Sequence, residues 1–568
     1  MRSKSIFDRA VPYVASVATV LAALQLLDYA DPRFLIMSHR SWESTYFKVG
    51  YPTFSSLLVL TLVMIVWILL TRPWALPLPL VGVLSLLILN PPTSLAIVSL
   101  ISVAVTLVLG RRYQDYATGA LATVFAVEAA SLLHWLVFAS LGLRDPLQAL
   151  TSLEQSLYYL AAQLSPFFML AFTFVSICLP IIHLIRRPER LEAASLGRPK
   201  LSNRAYFALG LTLLLSAVAA VYPYLPNINP NQVNPGVDIN GYVEDFYGIA
   251  ADPSKILTAM GGSRPIFYLL FLAFQKASSL DPLKAIQLIP ILLNPLLCVS
   301  AFVFTREATG DRSAAAYAAF FTASGFTIQV GMYGYFLADM LMLSIIFLSL
   351  AALVKALREK SKLYMVAAVA LGSLFVFTHP WTFDQYMAAV GGAMILTLIQ
   401  LGRGGSAHEA GWLIIYCLAV ASTDVLKLLL LRGSVEGFAT LGFLVSSLTT
   451  PATFWLDLVN SSRFYVSGYL SNMPLLTLAA IGLAKAREWT IPNLILWVLT
   501  AASSFVYLIG NTVVKSRLLY NIPVGVLAAY GLSYVDGLKV DSGLKTVIKA
   551  AVVVSLLSYL FRDLANLV

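Results

Sequence analysis

Residues 331–362 read GMYGYFLADMLMLSIIFLSLAALVKALREKSK. From Leu337 to Leu357 the run is largely apolar and uncharged except for Asp339 near its start and Lys355 near its end. A helix rises about 1.5 Å per residue, so about 20 such residues cross a hydrocarbon core of about 30 Å. The bases Lys355, Arg358, Lys360 and Lys362 crowd one end. By the positive-inside rule that end is cytoplasmic. Asp339 then lies at the outer end, where an acid at the edge of an apolar run is costly and marks a candidate site.

The same pattern repeats along the chain. Of 568 residues, 59% are hydrophobic and 12% charged, against about 25% charged in soluble domains. A soluble enzyme and a disordered chain are both excluded. The fold class is an all-α polytopic membrane protein with about 17 transmembrane helices. Six spans are expected near 11–28, 53–71, 75–89, 93–110, 117–141 and 160–185. Eleven more are expected near 205–223, 284–305, 313–331, 337–357, 363–379, 383–401, 411–431, 469–484, 490–510, 518–536 and 546–562. The apolar stretches 266–280 and 438–450 are short and interrupted, and read as interfacial or re-entrant. The basic start Met1–Arg9 with the run to Leu27 reads as a retained first helix, because no small-residue cleavage pattern follows.

The net charge of +10 comes from bases scattered in short loops, so no nucleic-acid partner is implied. With the N-terminus cytoplasmic, inside loops carry most of the 38 Lys and Arg. The strongest inside marker is the linker Arg186–Arg204. It divides an N-terminal module of about six helices, 1–200, from a module over 201–568. The longest outside segment is 224–283. Cys178, Cys298 and Cys417 all lie in apolar runs, without disulfide or metal-ligand spacing.

That outer segment carries the densest polar chemistry. Pro223, Pro226, Pro230 and Pro235 keep the chain extended up to Gly236. A helix is predicted from Asp238 to just before Pro253. Asp238, Tyr242 and Asp245 share one face of it, while Glu244 points elsewhere. Gly261–Gly262 end a second short helix, and Arg264–Pro265 lead into 266–280. A carboxylate here can deprotonate a hydroxyl or hold a divalent cation. Asp238 reads equally as a helix N-cap, and Glu244–Asp245 as a solvated face. A helix cap is likewise the alternative for Asp339. His379 and Asp384, in THPWTFDQ, sit at another outer end, where a membrane-interface role competes with ligand binding. Lys515 and Arg517, in NTVVKSR, lie outside against the charge trend. They suit a phosphate, with snorkelling to headgroups as the alternative. Asp424 and Lys427 share a helix face mid-span and are expected to pair. Glu128 is a lone intramembrane acid. No Walker loop, HExxH, GxSxG or dinucleotide motif occurs in a credible context. A phosphate-activated substrate would therefore arrive from within the membrane.

The arrangement resembles the GT-C glycosyltransferases, above all the protein O-mannosyltransferases and the lipid A aminoarabinose transferase type. Four features carry the resemblance. They are Asp238-Ile-Asn-Gly-Tyr242 followed by Ala250; Ser263-Arg264-Pro265-Ile266-Phe267-Tyr268; FTREATGDRSAAAYAAFF followed by Tyr335-Phe336-Leu337-Ala338-Asp339-Met340; and Lys515-Ser516-Arg517 with Pro523 and Ala528–Ala529. Together they cover about 205–536. Where the family often pairs Asp with Glu at the first acid, Ile239 follows Asp238.

The resemblance implies a GT-C-like core with juxtamembrane helices in its first outer loop. It implies transfer of a sugar from a polyprenyl- or dolichyl-phosphate donor to a hydroxyl of a glycan, lipid or protein, with inversion. Asp238 would be the base, with Asp245 and Glu244 as further acids. Arg517, Lys515 and Arg264 would hold the lipid phosphate, and Asp339 would position a substrate. Tyr242, His379 and Asp384 would line the rest of the site. No cofactor is fixed. A divalent cation is compatible with the family, but its ligands are not identified. The setting would be a prokaryotic plasma membrane, with the site extracytoplasmic. Two other readings remain, a transporter or flippase of lipid-linked glycans and a cell-envelope scaffold. A transporter would place ionisable groups near the midplane; here the acids and bases gather at one face.

Overall fold

In a computed structural model, the described residues are most of 203–431 and most of 473–539, with scattered positions at 73–75, 108–109, 170–178, 442–461 and 542–560. Asp238, Glu128 and nearly all of the six expected N-terminal spans fall outside them. The chain packs as two compact units, Pro166–Tyr465 with Ala479–Leu532, and Met1–Ser165 with Val466–Leu478 and Ser533–Val568. The candidate site lies in the first of these.

The described residues are helical, with no strand among them. In chain order the helices are α1 (Asn203–Val221), α2 (Ile239–Ala251), α3 (Pro265–Ser278), α4 (Pro282–Leu288), α5 (Pro290–Thr309), α6 (Arg312–Ser324), α7 (Phe326–Tyr333) and α8 (Leu337–Glu359). Then come α9 (Lys362–Gly372), α10 (Phe375–Thr378), α11 (Pro380–Leu401), α12 (Ala407–Leu431), α13 (Met473–Lys485), α14 (Ile491–Phe505), α15 (Thr512–Leu519) and α16 (Val524–Gly537). Five segments are long and apolar enough to cross a membrane: Asn203–Tyr224, Pro282–Thr309, Leu337–Glu359, Pro380–Leu401 and Ala407–Leu431.

Several expected single spans are divided among the described residues. The run 313–331 breaks at Gly325, whose extended backbone separates α6 from α7. The run 363–379 breaks between Gly372 and Phe375. The run 518–536 breaks before Val524, because Pro523 has no N–H to continue α15 into α16. Apolar length alone cannot register these interruptions. The expectation for 266–280 fits better. Helix α3 has 14 residues, short of the roughly 20 that a span requires.

Helix α8 is the hub. Its apolar window is 89% buried within the protein, against 28% for the first span. It is apolar all round, as a helix enclosed by other helices must be. Helix α5 packs along it, with Phe304 stacked on Phe347 at 5.7 Å. At one end Glu307 of α5 bonds its neighbour Arg306 and Arg358 of α8. On its other side Ser349 donates to the Ala368 carbonyl at 2.8 Å and meets the Tyr416 hydroxyl at 2.7 Å. Tyr416 in turn meets Tyr386 at 2.9 Å, which joins α8, α9, α11 and α12. Such interhelical bonds contribute about 0.6 kcal/mol each in apolar surroundings. By contrast α1 shows an exposed stripe, Phe207, Leu211, Leu214 and Val218, at helical spacing. Asp424 and Lys427 of α12 are both buried, and Lys427 donates to the Val376 carbonyl at 3.1 Å.

Candidate functional site

The site begins at a tight turn. Helix α7 ends at Tyr333, and the Phe336 N–H returns to the Gly331 carbonyl at 2.8 Å. Tyr335 takes a left-handed conformation, φ 53°, and is buried. This costs on the order of 1 kcal/mol for a non-glycine residue, so packing must hold it. Its hydroxyl lies 3.4 Å from that of Tyr224. Gly331 lets the chain pass close to its neighbours: a Cβ there would lie 2.5 Å from the Met340 sulfur and 2.6 Å from the Tyr520 hydroxyl, so both side chains would have to shift. The turn sets Asp339 in the first turn of α8.

Asp339 does not cap that helix. The N-cap is Phe336, with no side-chain cap bond. The buried Asp339 carboxylate accepts the Thr382 hydroxyl at 2.6 Å and faces His379 Nδ1 at 3.0 Å. His379 is the residue that caps α11, with Pro380 behind it at the favoured first helical position. Its Nδ1 also meets Thr382 Oγ1 at 2.9 Å. An ionised carboxylate only accepts, so the 3.0 Å contact with Asp339 calls for the proton on Nδ1 and leaves Nε2 the acceptor; the longer cap contact, from the Thr382 N–H to Nδ1 at 3.4 Å, would need the other tautomer. Asn521, in the turn between α15 and α16, donates to Thr382 Oγ1 at 3.2 Å and to Gln385. Gln385 donates to the Leu518 carbonyl at 3.1 Å. Both α8 and α15 are thereby bound to the start of α11.

Two arginines complete the cluster. Arg264, immediately before α3, lies within electrostatic reach of Asp339 and His379, and Arg517 of α15 within reach of His379. The Arg517 guanidinium lies 5.8 Å over the Trp381 ring. Arg264 bonds the Tyr242 hydroxyl. Tyr242 and Asp245 share a face of α2, as their spacing predicts, and the Tyr268 hydroxyl donates to Asp245 at 3.2 Å. Burial and the Asp245 carboxylate beside it raise the Tyr268 phenol well above its ordinary range, so it remains a donor. Phe246 lies 4.1 Å from Phe271 between ring centres, anchoring α2 on α3. Helices α2 and α3 thus hold Arg264 beside the Asp339–His379 pair.

Other predicted residues lie apart from this cluster. Glu244 is exposed on another face of α2. Asp384 is half-buried, two residues beyond Thr382. Lys515 does not join Arg517, because residues two apart on a helix point about 200° apart. Lys515 is fully buried, with its ammonium 5.5 Å over the Phe454 ring and 5.9 Å over that of Tyr507. Among the described residues its Nζ has no hydrogen-bond partner. Burial lowers its pKa to about 8, with Asp457 opposing. The unfolded chain then holds this proton more tightly than the folded one. Stability should rise as pH passes from about 8 to about 10.4, the ordinary lysine value. Lys515→Met should flatten that rise and increase the melting temperature at pH 7. Unchanged pH dependence of melting in the variant would contradict a buried, charged Lys515.

Thr382, Gln385 and Asn521 were not singled out from the sequence. The one available signal is that Thr382 follows His379 at capping distance. Among the described residues no group of three or more His, Cys, Asp or Glu is placed to hold a metal ion. In comparisons with known proteins, no protein-family model and no curated protein matches the chain.

Proposed function

We propose that the chain is an integral-membrane glycosyltransferase of GT-C type. It moves a sugar from a polyprenyl- or dolichyl-phosphate donor to a hydroxyl acceptor at the extracytoplasmic face, with inversion. The observation that carries this reading is the buried Asp339–His379 pair with Arg264 and Arg517 in electrostatic reach. Such a reaction needs a proton acceptor on one side of the anomeric carbon and cations on the other, where a phosphate leaves. Negative charge grows on that phosphate in the transition state, and fixed guanidinium groups stabilise it without reorganising. The resemblance assigns the base to Asp238 and the phosphate to Arg517, Lys515 and Arg264. The packing of Lys515 among aromatic rings favours the two arginines for that role.

Purified protein given a prenyl-phosphate sugar and an alcohol acceptor should release prenyl phosphate in step with glycoside formation. Folded protein that releases none would overturn the reading. Translocation of the donor with its sugar–phosphate bond intact would replace it with a flippase.

A further inference from the structure

We infer that His379, oriented by Asp339, is the base that takes the proton from the acceptor hydroxyl. This inference rests on the glycosyl-transfer reading and changes the identity of its base from a carboxylate to an imidazole.

The geometry is that of a carboxylate–imidazole dyad. The His379 ring makes its side-chain contacts through Nδ1, to the Asp339 carboxylate at 3.0 Å and the Thr382 hydroxyl at 2.9 Å, with the Thr382 N–H farther away at 3.4 Å. Nε2 is therefore without a protein partner among the described residues. Asp339 Oδ1 is occupied by the Thr382 hydroxyl at 2.6 Å as well as by the imidazole. Thr382 is itself held by Asn521 at 3.2 Å. A carboxylate so engaged serves best to fix the tautomer of the ring and to stabilise the imidazolium that forms. Asp245, the described acid of α2 on the face that carries Tyr242, is engaged by Tyr268.

In the step proposed, the acceptor oxygen bonds to the anomeric carbon as the bond from that carbon to the phosphate oxygen breaks. The electron pair leaves on the prenyl phosphate, and the hydroxyl proton passes to Nε2. The resulting imidazolium faces Asp339 from α8, Arg264 from the entry to α3 and Arg517 from α15, with neutral Thr382 beside it. Tyr520, which faces Asp339, is also neutral at pH 7. The two arginines oppose the new charge until a phosphate covers them. Donor binding therefore raises the proton affinity of His379, and the base becomes competent when the donor is in place.

The test uses the full chain with a prenyl-phosphate sugar and an alcohol acceptor. His379→Gln should reduce kcat about 10²–10⁴-fold with little change in donor KM. Imidazole added to His379→Gly should restore part of that loss. In the wild type, kcat/KM should fall with acid along a limb that His379→Gln lacks. The same limb retained in His379→Gln would overturn the imidazole base. So would His379→Gln within threefold of wild type beside an inactive Asp238→Asn, while leaving the glycosyl-transfer reading intact. Absence of release by the wild type would remove both.

Discussion

On the glycosyl-transfer reading proposed above, Arg517→Met should slow prenyl-phosphate release by about 10²–10³-fold. Arg517 lies against Trp381 and acts on His379, so its charge is held at the edge of the dyad rather than free to swing into solvent. A preorganised cation is most effective where charge increases between ground and transition states. The loss should therefore appear mainly in kcat, with a smaller change in donor KM. Arg517→Lys keeps the charge but loses the planar fork and the stacking on Trp381, and should recover only part of the rate. The measurement is single-turnover release with donor in excess over KM. A rate for Arg517→Met within threefold of wild type would remove Arg517 from the proposed phosphate site.

Gly482→Ala should destabilise the protein by about 3 kcal/mol, the upper end of the usual cost of overpacking. Gly482 lies on α13 against α16. A Cβ there would sit 1.8 Å from the Leu527 carbonyl oxygen and 2.8 Å from the Gly531 nitrogen. Both obstacles are backbone, so no rotamer change relieves the contact and the helices must separate. This close approach is what small residues permit between helices in lipid. The matched control is Gly411→Ala on α12, where nothing lies within 4 Å of the added methyl. Thermal melting in detergent should show a large drop for Gly482→Ala and an unchanged or higher midpoint for Gly411→Ala. Equal midpoints for both variants would refute the tight helix crossing.

Several local features were legible in the sequence because their causes are local. The α2 helix begins at Ile239 and ends before Pro253, where Asp252 accepts the Ser254 N–H. Proline and glycine punctuate the chain wherever they stand, so this boundary needed no tertiary information. The common face of Tyr242 and Asp245 followed from helical periodicity alone. Asp339 and His379 were recognisable one at a time, as polar residues at the ends of apolar runs. Their pairing was not. They are 40 positions apart, and their meeting depends on the left-handed turn at Tyr335 and on the start of α11.

The grouping of Lys515 with Arg517 shows the opposite limit. Adjacency in sequence suggested a shared phosphate, but helical geometry sends the two side chains to different surroundings. Thr382, Gln385 and Asn521 were invisible for a related reason. Neutral side chains carry no charge signal, and their value arises only from what lies across the helix junction.

Composition by itself pointed to helices suited to a bilayer, because apolar residues are so many and charges so few, and five described segments are long and apolar enough to cross one. It also placed the candidate acids and bases near the ends of the apolar runs, since charge is expensive anywhere deeper. Only the tertiary structure decided which of them act together. Hydrogen bonds and charges within a few ångströms depend on how α3, α8, α11 and α15 converge, and that convergence is set by packing between segments far apart in the chain.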